Sequence, residues 1–195
     1  MNKDIMICGV GGQGTVLASR IIAASAMDLG HAVRSAETIG MAQRGGPVTS
    51  HVRIGENAYS PLIPYGSADI LLAFEPSEAV RNLKYLKPGG FAAVNTVPVM
   101  PVTESLKKSG YSAGEMTDYL KTKCSCVFVD SEEMSEKFGS SKFLNIIMIG
   151  IAAGSGRLGI EKDVLINEIR KLVPAKFLDV NLEAFETGFS FGMKG

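Results

Sequence analysis

Four glycines near the start of the chain stand where backbone amides could hold an anion. They have the G-x-G-x-x-G spacing of a dinucleotide-binding loop plus one additional glycine, and they are Gly9, Gly11, Gly12 and Gly14. The apolar residues from Ile5 onwards predict a short buried strand before this loop, and a helix begins at Thr15. Glycines let the backbone N–H groups and the positive end of the helix approach a phosphate closely. The same pattern also arises where a helix packs tightly under a strand without any ligand.

Two polar residues refine this interpretation. Gln13 stands at the tip of the loop, where its amide is expected to point at a ligand or at a partner surface. Glu37 follows Gly14 by 23 residues and ends the next predicted strand, which is where a dinucleotide site requires an acidic residue. A dinucleotide-binding site therefore remains one alternative.

A second glycine-containing loop spans Met41 to Gly46. In it, Arg44 is followed directly by Gly45 and Gly46, so a guanidinium would stand beside bare backbone amides. This arrangement suits a phosphate or a carboxylate, although a surface arginine beside a flexible turn is the simpler alternative. Both loops follow strands of one predicted βαβ unit, so we expect them to lie close together.

The cysteines and histidines do not form a recognisable metal or catalytic site. Cys124 and Cys126 are separated by one residue, and Cys8 lies within the first predicted strand. Neither the iron–sulfur nor the structural zinc spacings are present. His31 is predicted to be structural, and His51, on the polar face of a strand, is predicted to be a hydrogen-bonded surface residue. The sequence thus predicts a ligand-binding part of an enzyme, with no cluster or structural metal of its own.

Composition excludes several classes of function. The 195 residues include 20 basic and 20 acidic side chains without a basic block, which argues against nucleic-acid binding. The longest apolar run, around Ile146 to Ala153, is far shorter than the roughly 18 residues of a membrane span. Three cysteines and a strand starting at Ile5 without a leader predict a cytoplasmic protein. The length predicts one domain over residues 1–195.

The hydrophobic pattern predicts an α/β fold: a three-layer α/β/α, Rossmann-like domain with a mixed, mostly parallel sheet and a helical C-terminal part. A hairpin turn at Gly55–Asn57, leading into a strand at 58–62, is expected to supply the antiparallel pair. The apolar run 69–74 indicates a central strand buried on both faces. Further strands are predicted at 32–36, 48–54, 91–95 and 125–129, and a turn at 87–90 precedes the third of these. Helices are predicted at 76–86, 115–123, 131–138, 142–153, 162–172 and 175–191.

Three stretches together resemble a known family. The glycine loop, the stretch from Glu37 to Gly46 and the stretch from Ser50 to Gly55 are similar to the gamma subunit or domain of the 2-oxoacid:ferredoxin oxidoreductases. Within that family the sequence looks most like the beta subunit of indolepyruvate:ferredoxin oxidoreductase. Residues 181–188 resemble the closing helix of the family, so the resemblance covers nearly the whole chain.

The resemblance implies oxidative decarboxylation of a 2-oxoacid, here an aryl pyruvate such as indolepyruvate, to an acyl-CoA, with electrons passing to ferredoxin. It implies that a large partner subunit carries thiamine diphosphate and the [4Fe–4S] clusters, and that this chain contributes coenzyme A binding and active-site closure. The site residues carried over are Gly9, Gly11, Gly12, Gln13, Gly14, Glu37, Met41, Arg44, Gly45 and Gly46. The isolated chain could form a homodimer. The alternatives are a stand-alone NAD-binding dehydrogenase and a non-catalytic nucleotide-binding assembly protein.

Overall fold

Six strands form one sheet in the computed structural model, which describes residues 1–38, 46–100 and 111–194. The strands are β1 (Lys3–Val10), β2 (Val33–Thr38), β3 (Pro47–Ile54), β4 (Ala68–Ala73), β5 (Leu86–Asn95) and β6 (Ser125–Val129). Their order across the sheet is β2-β3-β1-β4-β5-β6. Only β3 runs against its neighbours, β1 and β2. The other five strands therefore share one direction, and their carboxyl ends meet at one edge of the sheet.

Helices cover both faces of this sheet, which confirms the predicted three-layer fold. Against one face pack α1, α4, α5, α6 and α7, and against the other pack α2 and α3. Strand β1 alternates accordingly, with Ile5 and Ile7 in the first cluster and Met6 and Cys8 in the second. The helices are α1 (Thr15–Asp28), α2 (Pro76–Asn82), α3 (Ala113–Lys121), α4 (Ser131–Phe138), α5 (Leu144–Gly154), α6 (Lys162–Leu172) and α7 (Leu178–Gly192).

The sheet is mixed, as predicted, but the predicted hairpin at Gly55–Asn57 is wrong. Residues 58–62 form no strand, because β1 and β2 already occupy both edges of β3. The segment crosses the face of β3 instead, where the Arg53 guanidinium donates to the carbonyls of Ser60 and Leu62. The predicted turn at 87–90 is a bulge within β5, between the pairs Ala68–Leu86 and Ile70–Phe91.

Candidate functional site

The glycine loop connects the carboxyl end of β1 to the start of α1, next to the chain that enters β3. Val10 pairs with Pro47 in the sheet, and the Gly11 N–H donates to the Gly46 carbonyl over 2.9 Å. Gly46 is therefore held directly against the first loop. Met41, Arg44 and Gly45 lie outside the described residues.

Gln13 closes the loop onto the end of β4. Its Oε1 accepts from the Val10 N–H and its Nε2 donates to the Phe74 carbonyl, both over 2.8 Å. The amide was expected to point at a ligand or a partner, but it is directed at the protein backbone. Gly9 makes this possible, since a Cβ at that position would lie 2.6 Å from Gln13 Oε1.

Gly12 and Gly14 adopt left-handed backbone conformations, with φ of +100° and +82°. Gly14 is the N-cap of α1, where no side chain caps the helix and no acidic residue occupies the first turn. The unpaired N–H groups of that turn therefore favour an anion. A Cβ on Gly14 would meet Asn145 Nδ2 at 2.7 Å, whereas the space around Gly12 is open.

A cavity of about 300 Å³ opens beside this turn. Its lining combines the loop with the chain that leads into α5: Gly12, Gln13, Gly14, Ser141, Lys142 and Leu144. Lys142 is exposed, and its backbone N–H is held by the Ser140 hydroxyl over 3.2 Å. An ammonium group and uncapped amides around one cavity form a site for a negatively charged group. Sequence reasoning missed Lys142 because no local motif marks it.

A second cavity, of about 290 Å³, shares Lys142 with the first and continues between α1 and the connection from α6 to α7. Its lining is mainly apolar: Leu17, Ser140, Lys142, Phe143, Asn145, Val173, Pro174, Phe177 and Asn181. The surface beside the glycine loop can therefore accept an anionic group next to an elongated, less polar one.

Glu37 lies near the end of β2, and its Oε1 accepts from the Ser19 hydroxyl of α1 over 2.9 Å. The contact ties the second strand to the first helix. Its predicted part in binding a ligand stays a prediction, as do the binding roles of the glycines.

His51 is buried, which corrects the expectation of a surface residue. Its Nδ1 accepts from the Ile63 N–H over 3.1 Å, and burial together with the charge of Arg53 lowers the pKa of the imidazole.

Among the described residues, no three histidine, cysteine or acidic side chains lie close enough together to hold a metal ion. In the same part of the chain, no helix has both the length and the apolar character needed to cross a membrane.

The chain is similar to known proteins along almost its whole length. The pyruvate ferredoxin/flavodoxin oxidoreductase family matches residues 4–191. Indolepyruvate oxidoreductase subunit IorB of Methanothermobacter thermautotrophicus is 38% identical over 191 residues, which cover 97% of each chain. The keto/oxoacid ferredoxin oxidoreductase gamma subunit of Geobacter sulfurreducens has the same fold, with a TM-score of 0.72, 22% identity and 99% of both chains covered.

A longer protein contains the same fold. The 2-oxoglutarate:ferredoxin oxidoreductase of Magnetococcus marinus, solved with 2-oxoglutarate, coenzyme A and succinyl-CoA bound, superposes with a TM-score of 0.74 at 19% identity. The match covers all of this chain and 31% of that one. The family match and the full-length relatives confirm the resemblance found in the sequence: the chain belongs to the pyruvate ferredoxin/flavodoxin oxidoreductase family.

Proposed function

We propose that this chain is the cluster-free subunit of a 2-oxoacid:ferredoxin oxidoreductase that acts on an aryl pyruvate, and that it binds coenzyme A. The observation that carries the proposal is the open cavity beside Gly12, where the uncapped start of α1 faces Lys142. A coenzyme A phosphate would be held by these amides and by the ammonium group. The pantetheine arm would follow the apolar cavity past Leu17 and Phe177.

A larger partner subunit would supply the redox chemistry. The chain has three cysteines, whereas a [4Fe–4S] cluster takes four. Cys8 is fully buried in β1, which is three strands away from β6 in the sheet. In this proposal the partner carries the clusters and thiamine diphosphate and passes electrons to ferredoxin. The 31% share of the Magnetococcus chain supports this division, because there the same fold is joined to further polypeptide.

Reconstitution tests the proposed function. The purified chain is mixed with its candidate large subunit, and reduction of a viologen dye is followed with indolepyruvate and coenzyme A. We expect turnover to require both polypeptides and both substrates. Full-rate turnover by the large subunit alone would refute the role of this chain.

Lys142→Ala in the reconstituted enzyme tests the site. We expect the KM for coenzyme A to rise about fivefold, since a solvent-accessible ion pair contributes up to about 1 kcal/mol, while the KM for indolepyruvate stays unchanged. Lys121→Ala is the matched control, because Lys121 is an exposed lysine of α3, on the opposite face of the sheet. Equal KM values in the two variants would remove Lys142 from the site.

A further inference from the structure

Two thiols meet at the start of the edge strand β6. The Sγ atoms of Cys124 and Cys126 lie 3.2 Å apart, and both side chains are half-buried free thiols. Residues two apart in a regular strand are separated by about 6.6 Å, which is near the upper end of the Cα separation of about 4.4–6.8 Å that a disulfide allows. Here Cys124 lies in the bend before β6 begins, and the two side chains turn towards each other.

The end of α3 holds both sulfurs in place. Both thiols lie 3.7 Å from the same backbone oxygen, the carbonyl of Leu120, and the Leu120 side chain is fully buried. The pair is thus attached to the hydrophobic core on the α2–α3 side. Such an anchored pair is already arranged for a bond between its sulfurs.

The two thiols differ in reactivity. The hydrogen bond from Cys126 lowers the pKa of the Cys124 thiol, which favours its nucleophilic thiolate form. The same bond, together with burial, raises the pKa of Cys126. Cys124 is therefore the attacking sulfur and Cys126 the one that reacts second. Cys8, by contrast, is fully buried, and burial raises the pKa of its thiol well above the ordinary value.

We propose that Cys124 and Cys126 form a site of reversible oxidation that closes an intramolecular disulfide by exchange with a low-molecular-weight disulfide. The Cys124 thiolate attacks one sulfur of the small disulfide and forms a mixed disulfide. The first small thiolate leaves and takes up a proton from water, which balances the proton that Cys124 lost on ionisation. The Cys126 sulfur then attacks Cys124 Sγ, and the second small thiol leaves with the proton of Cys126. The protein dithiol loses two electrons, and the small disulfide gains them.

This site is separate from the candidate coenzyme A site. Cys124 and Cys126 lie at the amino end of β6, whereas the glycine loop lies at the carboxyl end of β1, and the two strands run in the same direction. The proposal therefore does not depend on the proposed function, and the isolated full-length chain is sufficient to test it.

The test is incubation of the folded chain with glutathione disulfide, followed by intact-mass and peptide mass spectrometry. We expect the wild-type mass to fall by two hydrogens, with Cys124 linked to Cys126, Cys8 still reduced and the change reversed by dithiothreitol. In Cys126→Ser the exchange stops at the first step, so one glutathione stays on Cys124. In Cys124→Ser no intramolecular disulfide can form, and at most one glutathione is added, to Cys126.

Other outcomes overturn the proposal. The proposal is contradicted if the wild-type protein retains glutathione or forms disulfide-linked dimers. It is also contradicted if the wild-type protein keeps both thiols reduced under conditions that modify Cys124 in Cys126→Ser. Circular dichroism of both serine variants serves as the control for folding, and we expect both to be folded because the substituted thiols are only half-buried.

Discussion

Gln13 joins the ends of two neighbouring strands through both polar atoms of its side chain. A family motif identifies the residue, but its role follows from the packing of β1 beside β4, which no local pattern reveals. The position of Lys142 is even harder to predict from a local sequence pattern. It stands more than a hundred residues after the glycine loop and reaches it only because α5 packs against α1, so the sequence predicted the loop but not its cation.

Gln13→Ala is expected to lower the free energy of unfolding by about 1–3 kcal/mol. The substitution leaves the Val10 N–H without its partner and removes one of the two donors to the Phe74 carbonyl, which keeps the bond from Asn95 Nδ2 over 3.0 Å. An unpaired group in a partly buried position costs about that much. Urea unfolding followed by circular dichroism measures the effect. Asn57→Ala, at an exposed turn, is the control and is expected to stay within about 0.5 kcal/mol of the wild type. Equal stability of the two variants would contradict the role of Gln13.

His51 is expected to make folding sensitive to mildly acidic pH. Burial and Arg53 lower its pKa in the folded state, so the unfolded chain, with a histidine pKa of about 6.5, binds the proton first. The stabilising contribution is complete above that pH and is lost as the pH falls towards the lowered folded-state pKa, by at most about 1.4 kcal/mol per pH unit. His51→Gln does not titrate and serves as the reference in urea unfolding at several pH values. Parallel stability profiles for the two proteins would show that His51 is not responsible.

At the scale of elements, α5 and α7 pack with their backbones almost in contact. The contact depends on two glycines in each helix, spaced four residues apart: Gly150 and Gly154, and Gly188 and Gly192. A Cβ on Gly188 would lie 2.1 Å from the Ile147 carbonyl oxygen. The sequence predicted that the helix at 142–153 is buried, because it is apolar all round, and α5 is indeed buried. The helix at 175–191 was predicted as well, but its pairing with α5 was not, since the glycine spacing indicates a close approach without specifying the partner.

Gly188→Ala is expected to destabilise the fold by about 1–3 kcal/mol or more, because the added methyl group must push the two helices apart. Gly114→Ala in α3 is the matched control. At that position the nearest atom to an added Cβ is Ser112 Oγ at 3.9 Å, so the substitution is expected to be neutral or to stabilise by up to about 1 kcal/mol. Thermal unfolding of both variants distinguishes the effect of packing from that of helix propensity. A Gly188→Ala protein as stable as the wild type would show that α5 and α7 are not held this closely.

The sheet itself shows which parts of a fold a local pattern can predict. The buried strands β1, β4 and β5 were predicted from their continuous apolar runs. The pairing of β3 was not, because a strand's neighbours are set by contacts between distant segments. An apparent turn at Gly55–Asn57 suggested a local hairpin, but β3 inserts between β2 and β1 instead. This insertion nevertheless places Gly46, the last residue of the second predicted loop, beside Gly11.

At the scale of the whole molecule, the two hydrophobic clusters share the same strands. Neighbouring residues of β1 and β4 point alternately into the cluster beneath α5 and α7 and into the one beneath α2 and α3. Loss of either helical layer would therefore expose one face of the central strands to water. We expect residues 1–195 to unfold as a single cooperative unit.

Cys8 provides a probe of that cooperativity, since it is fully buried in the cluster beneath α2 and α3. In the Cys124→Ser, Cys126→Ser double variant it is the only cysteine of the chain. We expect the urea midpoint for alkylation of Cys8 to coincide with the midpoint for loss of helical circular dichroism. Adding Gly188→Ala, on the opposite face, should lower both midpoints equally. If the circular dichroism midpoint falls while Cys8 stays protected, the two layers unfold separately and the chain behaves as two units.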